Sequence, residues 1–256
     1  MKALLDITSL TMRFRGLVAV SNFNLALKKN ELVGLIGPNG AGKTTIFNML
    51  TGVYRPTEGQ IHLNGHPLND LKPHDITRLG MARTFQNIRL FKDLSVLDNV
   101  RLGHHIHFTY GLFSTALQTQ HLHQEELETQ AHSLELLKIF DLDTYQDLKA
   151  KNLPYGAQRK LEILRALATK PKILLLDEPA AGLNRKETEE LMHTIQKLRK
   201  EFDLTILLIE HDMKLVMGIC ERILVLDHGE TIAQGTPKEI QSSPIVIKAY
   251  LGEPQA

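Results

Sequence analysis

Apolar and polar residues alternate at the start of the chain, where Leu5 and Ile7 bracket Asp6, the period-two pattern of a half-buried strand. Gln60–Leu63 runs into Asn64-Gly65, a pair that favours a type I′ hairpin turn. Between them the pattern changes. Leu32-Val33-Gly34-Leu35-Ile36 carries no polar residue, which predicts a strand buried on both faces of a parallel sheet. Ile173–Leu176 and Thr205–Ile209 predict further buried strands. Helices are expected near Ala157–Ala168 and after Asn184, where Glu187 three residues on completes a capping-box pattern. The second of these carries the apolar stripe Leu191, Ile195, Leu198 and Phe202. Ile223–Asp227 and Thr231–Gln234, joined through His228-Gly229, read as a closing hairpin.

The middle of the chain differs. From Leu102 to Leu137 there is no Lys or Arg, and Leu127, Ala131 and Leu134 recur at helical spacing. The expected organisation is an α/β core from residues 1–87 and 151–256, with an antiparallel β subdomain at its N-terminus. Residues 88–150 form an inserted helical subdomain.

Composition narrows the class. Thirty Lys and Arg against 29 Asp and Glu leave a formal charge of +1, so global charge draws in neither nucleic acid nor an acidic membrane. The basic residues are dispersed without interleaved aromatics, so no nucleic-acid partner is expected. Cys220, the single cysteine, cannot form an intrachain disulfide, which fits a reducing compartment. The N-terminus lacks the apolar region of a signal peptide, and no run reaches the 18 apolar residues of a membrane span. The expectation is a soluble cytoplasmic protein that works at a membrane only through a partner.

Gly37-Pro38-Asn39-Gly40-Ala41-Gly42-Lys43-Thr44, followed by Thr45, matches the phosphate-binding pattern G-x-x-x-x-G-K-T/S. Its glycines let backbone N–H groups turn inward around phosphate oxygens, and the next helix aims its N-terminus at the same anion. Lys43 would neutralise the β- and γ-phosphates and the Thr44 hydroxyl would ligate Mg²⁺. Ile173-Leu174-Leu175-Leu176-Asp177-Glu178 would deliver the Asp177 carboxylate to that ion at the carboxyl edge of the sheet. Glu178 is then placed to polarise a water for attack on the γ-phosphate.

With these two motifs the chain resembles the nucleotide-binding subunits of ABC transporters along nearly its whole length. Gln86 in Arg83-Thr84-Phe85-Gln86-Asn87 resembles the Q-loop glutamine, and Leu153-Pro154-Tyr155-Gly156-Ala157-Gln158 occupies the place of the LSGGQ signature. Ala180-Ala181-Gly182-Leu183-Asn184 resembles the D-loop, and His211 in Ile209-Glu210-His211-Asp212 the switch histidine. Thr84–Phe91, Leu208–Met217 and the ending Ala249–Glu253 are similar to the ATPases of bacterial branched-chain amino acid importers. Urea importers and lipopolysaccharide-export ATPases share much of this.

The resemblance implies an ATP-hydrolysing motor at the cytoplasmic face of the bacterial inner membrane. It implies Mg²⁺ ligation by Thr44, Gln86 and Asp177, and catalysis by Glu178, His211 and Lys43. Phe14 would stack on adenine, for which any π-face serves. The implied partners are permease subunits, a second ATPase subunit and, indirectly, an external substrate-binding protein. Tyr155 and Gly156 would close over ATP held by that second subunit. Three positions depart from the family pattern: Pro154 replaces the signature serine, Ala157 its closing glutamine, and Asn184 the D-loop aspartate. Pro154 points to a heterodimer of paralogues with unequal sites, a homodimer being the alternative.

His104, His105, His107, His121, His123 and His132 make up half of the 12 histidines. His121 and His123 form a potential ligand pair, but no cysteine lies nearby, and a solvated face of the helical subdomain is the expected reading.

Overall fold

The computed structural model describes residues 3–107 and 120–251. Among these, the strands form two sheets. β1 (Leu5–Phe14) pairs antiparallel with β2 (Leu17–Leu27) and β4 (Glu58–Leu63), which carries the short β5 (His66–Pro67) on its edge. Asn64 and Gly65 both take positive φ, 49° and 84°, as a type I′ turn requires.

The second sheet has the order β10-β9-β3-β8-β7-β6. β3 (Leu32–Ile36), β8 (Thr205–Ile209), β7 (Ile173–Asp177), β6 (Met81–Arg83) and β9 (Arg222–Asp227) run parallel, and β10 (Glu230–Gly235) closes an antiparallel hairpin on β9. β3, β7 and β8 are buried at every position. Their two faces serve different cores. Leu174, Leu176, Ile206 and Leu208 face the helical side, whereas Ile173, Leu175, Leu207 and Ile209 face the core shared with the N-terminal sheet. Continuous apolar runs are the outcome, because neither face can be polar.

α1 (Lys43–Leu50) follows β3 and packs beneath the first sheet through Ile46, Phe47 and Leu50. α2 (Pro73–Leu79) leads into β6. In the helical region, α3 (Val96–His104) and α4 (Gln120–Ile139) pack together and against α5 (Tyr155–Leu167), which follows the 88–150 segment in sequence. α4 is helical as the spacing predicts, but its buried face is different. Leu127 is 48% exposed and Ala131 is exposed, while Ser133, Leu136 and Leu137 are buried, with Phe140 just beyond the helix end. Of the i, i+4, i+7 set only Leu134 packs against the core.

α6 (Arg185–Glu201) carries the capping box, with Asn184 Oδ1 accepting from the N–H groups of Lys186 and Glu187. Leu191, Ile195 and Leu198 are buried. Phe202, expected in the same stripe, is the C-cap and lies half-exposed beyond the core. α7 (Met213–Ile219), α8 (Pro237–Gln241) and α9 (Pro244–Leu251) complete the chain. No helix among the described residues is long and apolar enough to cross a membrane.

Candidate functional site

Four parallel strands end at one edge of the sheet, and each delivers one piece of the site. β3 runs into the glycine-rich loop, β8 into Glu210-His211, β7 into Asp177-Glu178, and β6 into Arg83 to Gln86. Open α/β sheets bind ligands at this carboxyl edge.

The loop's conformation explains its glycines. Gly42 has φ +104°, and a Cβ there would lie 2.6 Å from the Ala19 carbonyl oxygen. The Lys43 side chain is buried, and its Nζ donates to the carbonyls of Gly37 (2.7 Å) and Pro38 (2.9 Å). Burial lowers the Lys43 pKa, opposed by the charges of Glu178 and Asp177. Beside it lies a cavity of about 500 Å³ lined by Leu17, Val18, Ala19, Asn39 to Thr45, Gln86, Glu178 and His228. Asn39, Gly40, Ala41, Gly42, Lys43, Thr44, Thr45, Gln86 and Glu178 thus come together as expected. Gly37 and Pro38 serve from behind, through their carbonyls.

Asp177 is buried, with Oδ2 2.6 Å from Arg83 Nη2. Arg83 also donates to Asn48 Oδ1 at 2.7 Å and lies over the rings of Phe47 and Phe85. Sequence reasoning passed over Arg83; the signal was a cation ending the short apolar run Met81-Ala82.

Glu178 turns out of the strand at φ +48°, and its N–H donates to the Ile209 carbonyl at 2.9 Å. Its Oε2 accepts from Gln86 Nε2 at 2.8 Å. His211 Nδ1 stands 3.7 Å from the same oxygen, outside direct hydrogen-bond reach. Glu210, also missed, is buried and accepts from the N–H groups of Ala180 (2.7 Å), His211 (3.0 Å) and Asp212 (3.3 Å). It therefore ties the loop after β8 to the loop after β7. Burial raises its pKa, and the three N–H bonds oppose that.

Besides Gly37 and Pro38, five expected residues do not line this cavity: Asp177 and His211, placed above, and Phe14, Tyr155 and Gly156. Phe14 packs edge-on against Tyr54, ring centroids 5.3 Å apart, and Leu17, Val18 and Ala19 form the cavity wall instead. Tyr155 and Gly156 sit at the start of α5, against the loop before α6. A Cβ on Gly182 would lie 2.7 Å from Tyr155 Cε1, and one on Gly156 would lie 2.9 Å from Glu187 Oε1. Pro154 is the N-cap of α5 and makes no side-chain cap bond. Asn184 caps α6 as an aspartate would. Ala157 occupies the first turn of α5.

His104 and His132 make an edge-on ring contact at 5.1 Å; the side chains of His107, His121 and His123 lie outside the described residues. Among the described residues no three His, Cys, Asp or Glu side chains gather so as to hold a metal ion. The Thr44 hydroxyl and the Gln86 amide line the cavity, whereas the Asp177 carboxylate does not line it and has Oδ2 paired with Arg83. This all-oxygen set fits a hard divalent cation such as Mg²⁺.

Comparison with known proteins agrees with this geometry. Residues 20–181 match the family described as ABC transporter. The chain belongs to that family. Residues 230–256 match a second family, branched-chain amino acid ATP-binding cassette transporter. The high-affinity branched-chain amino acid transport ATP-binding protein LivG of Escherichia coli K12 is 50% identical over 250 residues, 98% of each chain. BraF of Pseudomonas aeruginosa, with the same description, is 47% identical over 252 residues, 98% of this chain and 99% of its own. Among solved structures, an ATP-binding cassette of an ABC transporter in its ADP conformation superimposes with TM-score 0.85 at 28% identity. It covers 99% of this chain and 100% of that one. The protein is accordingly an ATP-binding, ATP-hydrolysing motor subunit of an ABC transporter.

Proposed function

We propose that this ATPase drives import of branched-chain amino acids, as a peripheral subunit on the cytoplasmic face of the bacterial inner membrane. The observation that carries the substrate class is the match of the C-terminal segment, residues 230–256, to the branched-chain amino acid cassette family. It is supported by the relatives' shared description at about half identity over the full length.

The residues divide the work. Main-chain N–H groups of the glycine-rich loop and the Lys43 ammonium would hold the β- and γ-phosphates, and the low dielectric around buried Lys43 strengthens that hold. Thr44, Gln86 and Asp177, the last now paired with Arg83, would hold Mg²⁺, which would offset charge on the phosphoryl oxygens. Glu178 accepts the proton of the attacking water. Its amide contact with Gln86 keeps its carboxylate turned toward the cavity. His211 orients the γ-phosphate from the adjacent strand end. The cavity wall Leu17–Ala19 receives the adenine, while Phe14 packs on Tyr54 outside it. Tyr155 and Gly156 offer N–H groups at a helix start to ATP held by a second, paralogous ATPase subunit.

A groove of about 510 Å³ is lined by Arg78, Phe91, His105, Ile106 and Arg165, among others. Phe91 is 53% exposed there, under the Arg165 guanidinium. This groove receives a permease segment, and an external binding protein delivers substrate to the permeases.

The test is co-expression with the permease, partner-ATPase and binding-protein genes, reconstitution in vesicles, and uptake of labelled leucine and urea. ATP-dependent leucine uptake is expected. Urea uptake without leucine uptake would overturn the substrate assignment while leaving the ATPase in place.

A further inference from the structure

Arg159, in the second turn of α5, has only 3% of its surface exposed. Nothing in its sequence position marks it as functional. Its Nη1 donates to the Phe85 carbonyl at 2.8 Å and its Nη2 donates to the Gln86 carbonyl. Nη2 also lies 3.1 Å from the Tyr155 hydroxyl. Glu162, one turn on and equally buried, balances the guanidinium at 3.5 Å and accepts the Arg89 N–H at 3.1 Å. One face of α5 therefore holds the main chain at Phe85, Gln86 and Arg89.

The preceding residue is held elsewhere. The Thr84 N–H donates to the Leu175 carbonyl at 3.0 Å, and Thr84 Oγ1 accepts the Asp177 N–H at 3.3 Å. The chain thus passes from β7 to α5 between Thr84 and Phe85. Gln86 then reaches back from α5 to β7, through Nε2 to Glu178 Oε2 at 2.8 Å.

We propose that Arg159 is a positioning residue that makes the Gln86 main chain travel with α5, so that the glutamine's contact with Glu178 reports where α5 stands. The rigid guanidinium fork can hold two carbonyls at once, which a single ammonium does less well. The guanidinium that holds both carbonyls is buried, so releasing them strips a buried cation of its acceptors, and α5 and the loop move together. A relative shift of about 1 Å carries Gln86 Nε2 beyond hydrogen-bond reach of Glu178. Tyr155 extends the same link to Gly182, against which its ring lies. The catalytic half of this proposal rests on the roles given above to Gln86 and Glu178.

The competing account is that Arg159 merely neutralises Glu162. Glu162→Gln removes that charge and keeps an acceptor for Arg89; Arg165, which also faces Glu162, loses the same partner in Glu162→Gln and in the double variant Arg159→Met/Glu162→Gln, so comparing those two isolates Arg159. The full chain, assembled with its permeases and partner ATPase, is compared as Glu162→Gln, the double variant, Arg159→Lys and Gln86→Ala. Amide exchange is followed in the 84–91 segment, and kcat and KM for ATP are measured alongside. Against Glu162→Gln, the double variant is expected to exchange at least tenfold faster across residues 85–89. Its kcat should fall about tenfold with KM nearly unchanged, the scale of one charged hydrogen bond lost. Arg159→Lys, which keeps the buried charge balanced, should exchange faster than wild type but slower than the double variant. Equal exchange and equal kcat in the double variant and Glu162→Gln overturn the proposal, as does Arg159→Lys indistinguishable from wild type in exchange. Faster exchange in the double variant, with Gln86→Ala turning over normally, leaves the clamp but overturns the role of Gln86 and the catalytic half.

Discussion

Glu178 leaves the end of β7 at φ +48°, a conformation that costs an ordinary residue about 1 kcal/mol or more. The turn aims its carboxylate back at Gln86 and the cavity rather than along the strand. Glu178→Gln keeps the shape and removes the proton acceptor. ATP should still bind, turnover should fall by a factor on the order of 10² or more, and an ATP-bound closed form should accumulate on size exclusion. Loss of ATP binding in parallel would mark the carboxylate as structural. Cys220 is a contrasting residue, buried against β3 with its thiol pushed from 9.0 to about 12, chiefly by burial. A thiol with a raised folded-state pKa contributes stability that is complete below pH 9 and is lost between 9 and about 12. Cys220 should therefore resist alkylation at pH 8 in the folded protein and react fully in denaturant. Rapid labelling of the native protein would contradict its burial.

Two helix starts carry the departures from the family pattern, and they differ physically. Asn184 accepts two N–H bonds as the N-cap of α6, and asparagine and aspartate cap about equally well. Asn184→Asp should leave the melting temperature nearly unchanged, whereas Asn184→Ala should cost about 1 kcal/mol, read as a lower denaturant midpoint. Pro154 caps α5 with backbone geometry alone, at φ −55° and ψ 152° without a side-chain bond. A serine fits the same dihedrals and adds a hydroxyl that can accept a first-turn N–H or donate to a phosphate. A missing bond to a charged phosphate costs about 1.5–3 kcal/mol, so Pro154→Ser should raise turnover of the assembled transporter by about tenfold at the site that α5 closes. Unchanged turnover would show that the Tyr155 and Gly156 N–H groups suffice and that the two sites are not unequal. Gly156→Asp is a poorer probe, because the new carboxylate would meet Glu187 and disturb the α6 cap within the same chain.

At the scale of the whole molecule, one short segment, residues 83–91, contributes to both cavities, Gln86 to the nucleotide cavity and Arg83 and Phe91 to the groove. A partner pressing on Phe91 would act on chain that Arg159 and Glu162 hold to α5. Phe91→Ala should leave ATPase activity of the assembled complex within about twofold while lowering uptake several-fold, since a buried aromatic contact between proteins contributes roughly 2 kcal/mol or more. Parallel loss of both activities would place Phe91 in catalysis rather than coupling. Lys43→Ala is the reference at this scale. It removes the cation from the cavity and should abolish most hydrolysis and most uptake together.

Local chemistry was readable in the chain by itself. Apolar runs at 32–36, 173–176 and 205–209 could only be strands covered on both faces. A glycine-rich loop after one and Asp177-Glu178 after another specified a nucleotide site, and Asn64-Gly65 and Asn184 with Glu187 specified a turn and a cap. Each of these depends on neighbours a few residues apart, and the structure keeps them. Partners chosen by strand order were not readable. Arg83 meets Asp177, Arg159 meets Phe85 and Gln86, and Glu210 meets Ala180, because β8 lies beside β7 and β7 beside β6. The face of α4 was decided in the same way. Leu127, Ala131 and Leu134 have the right spacing, but of these only Leu134 packs against the core, and the covered side bears Ser133, Leu136 and Leu137. Periodicity states that a helix has an apolar face, and only the packed neighbours determine which face loses its water.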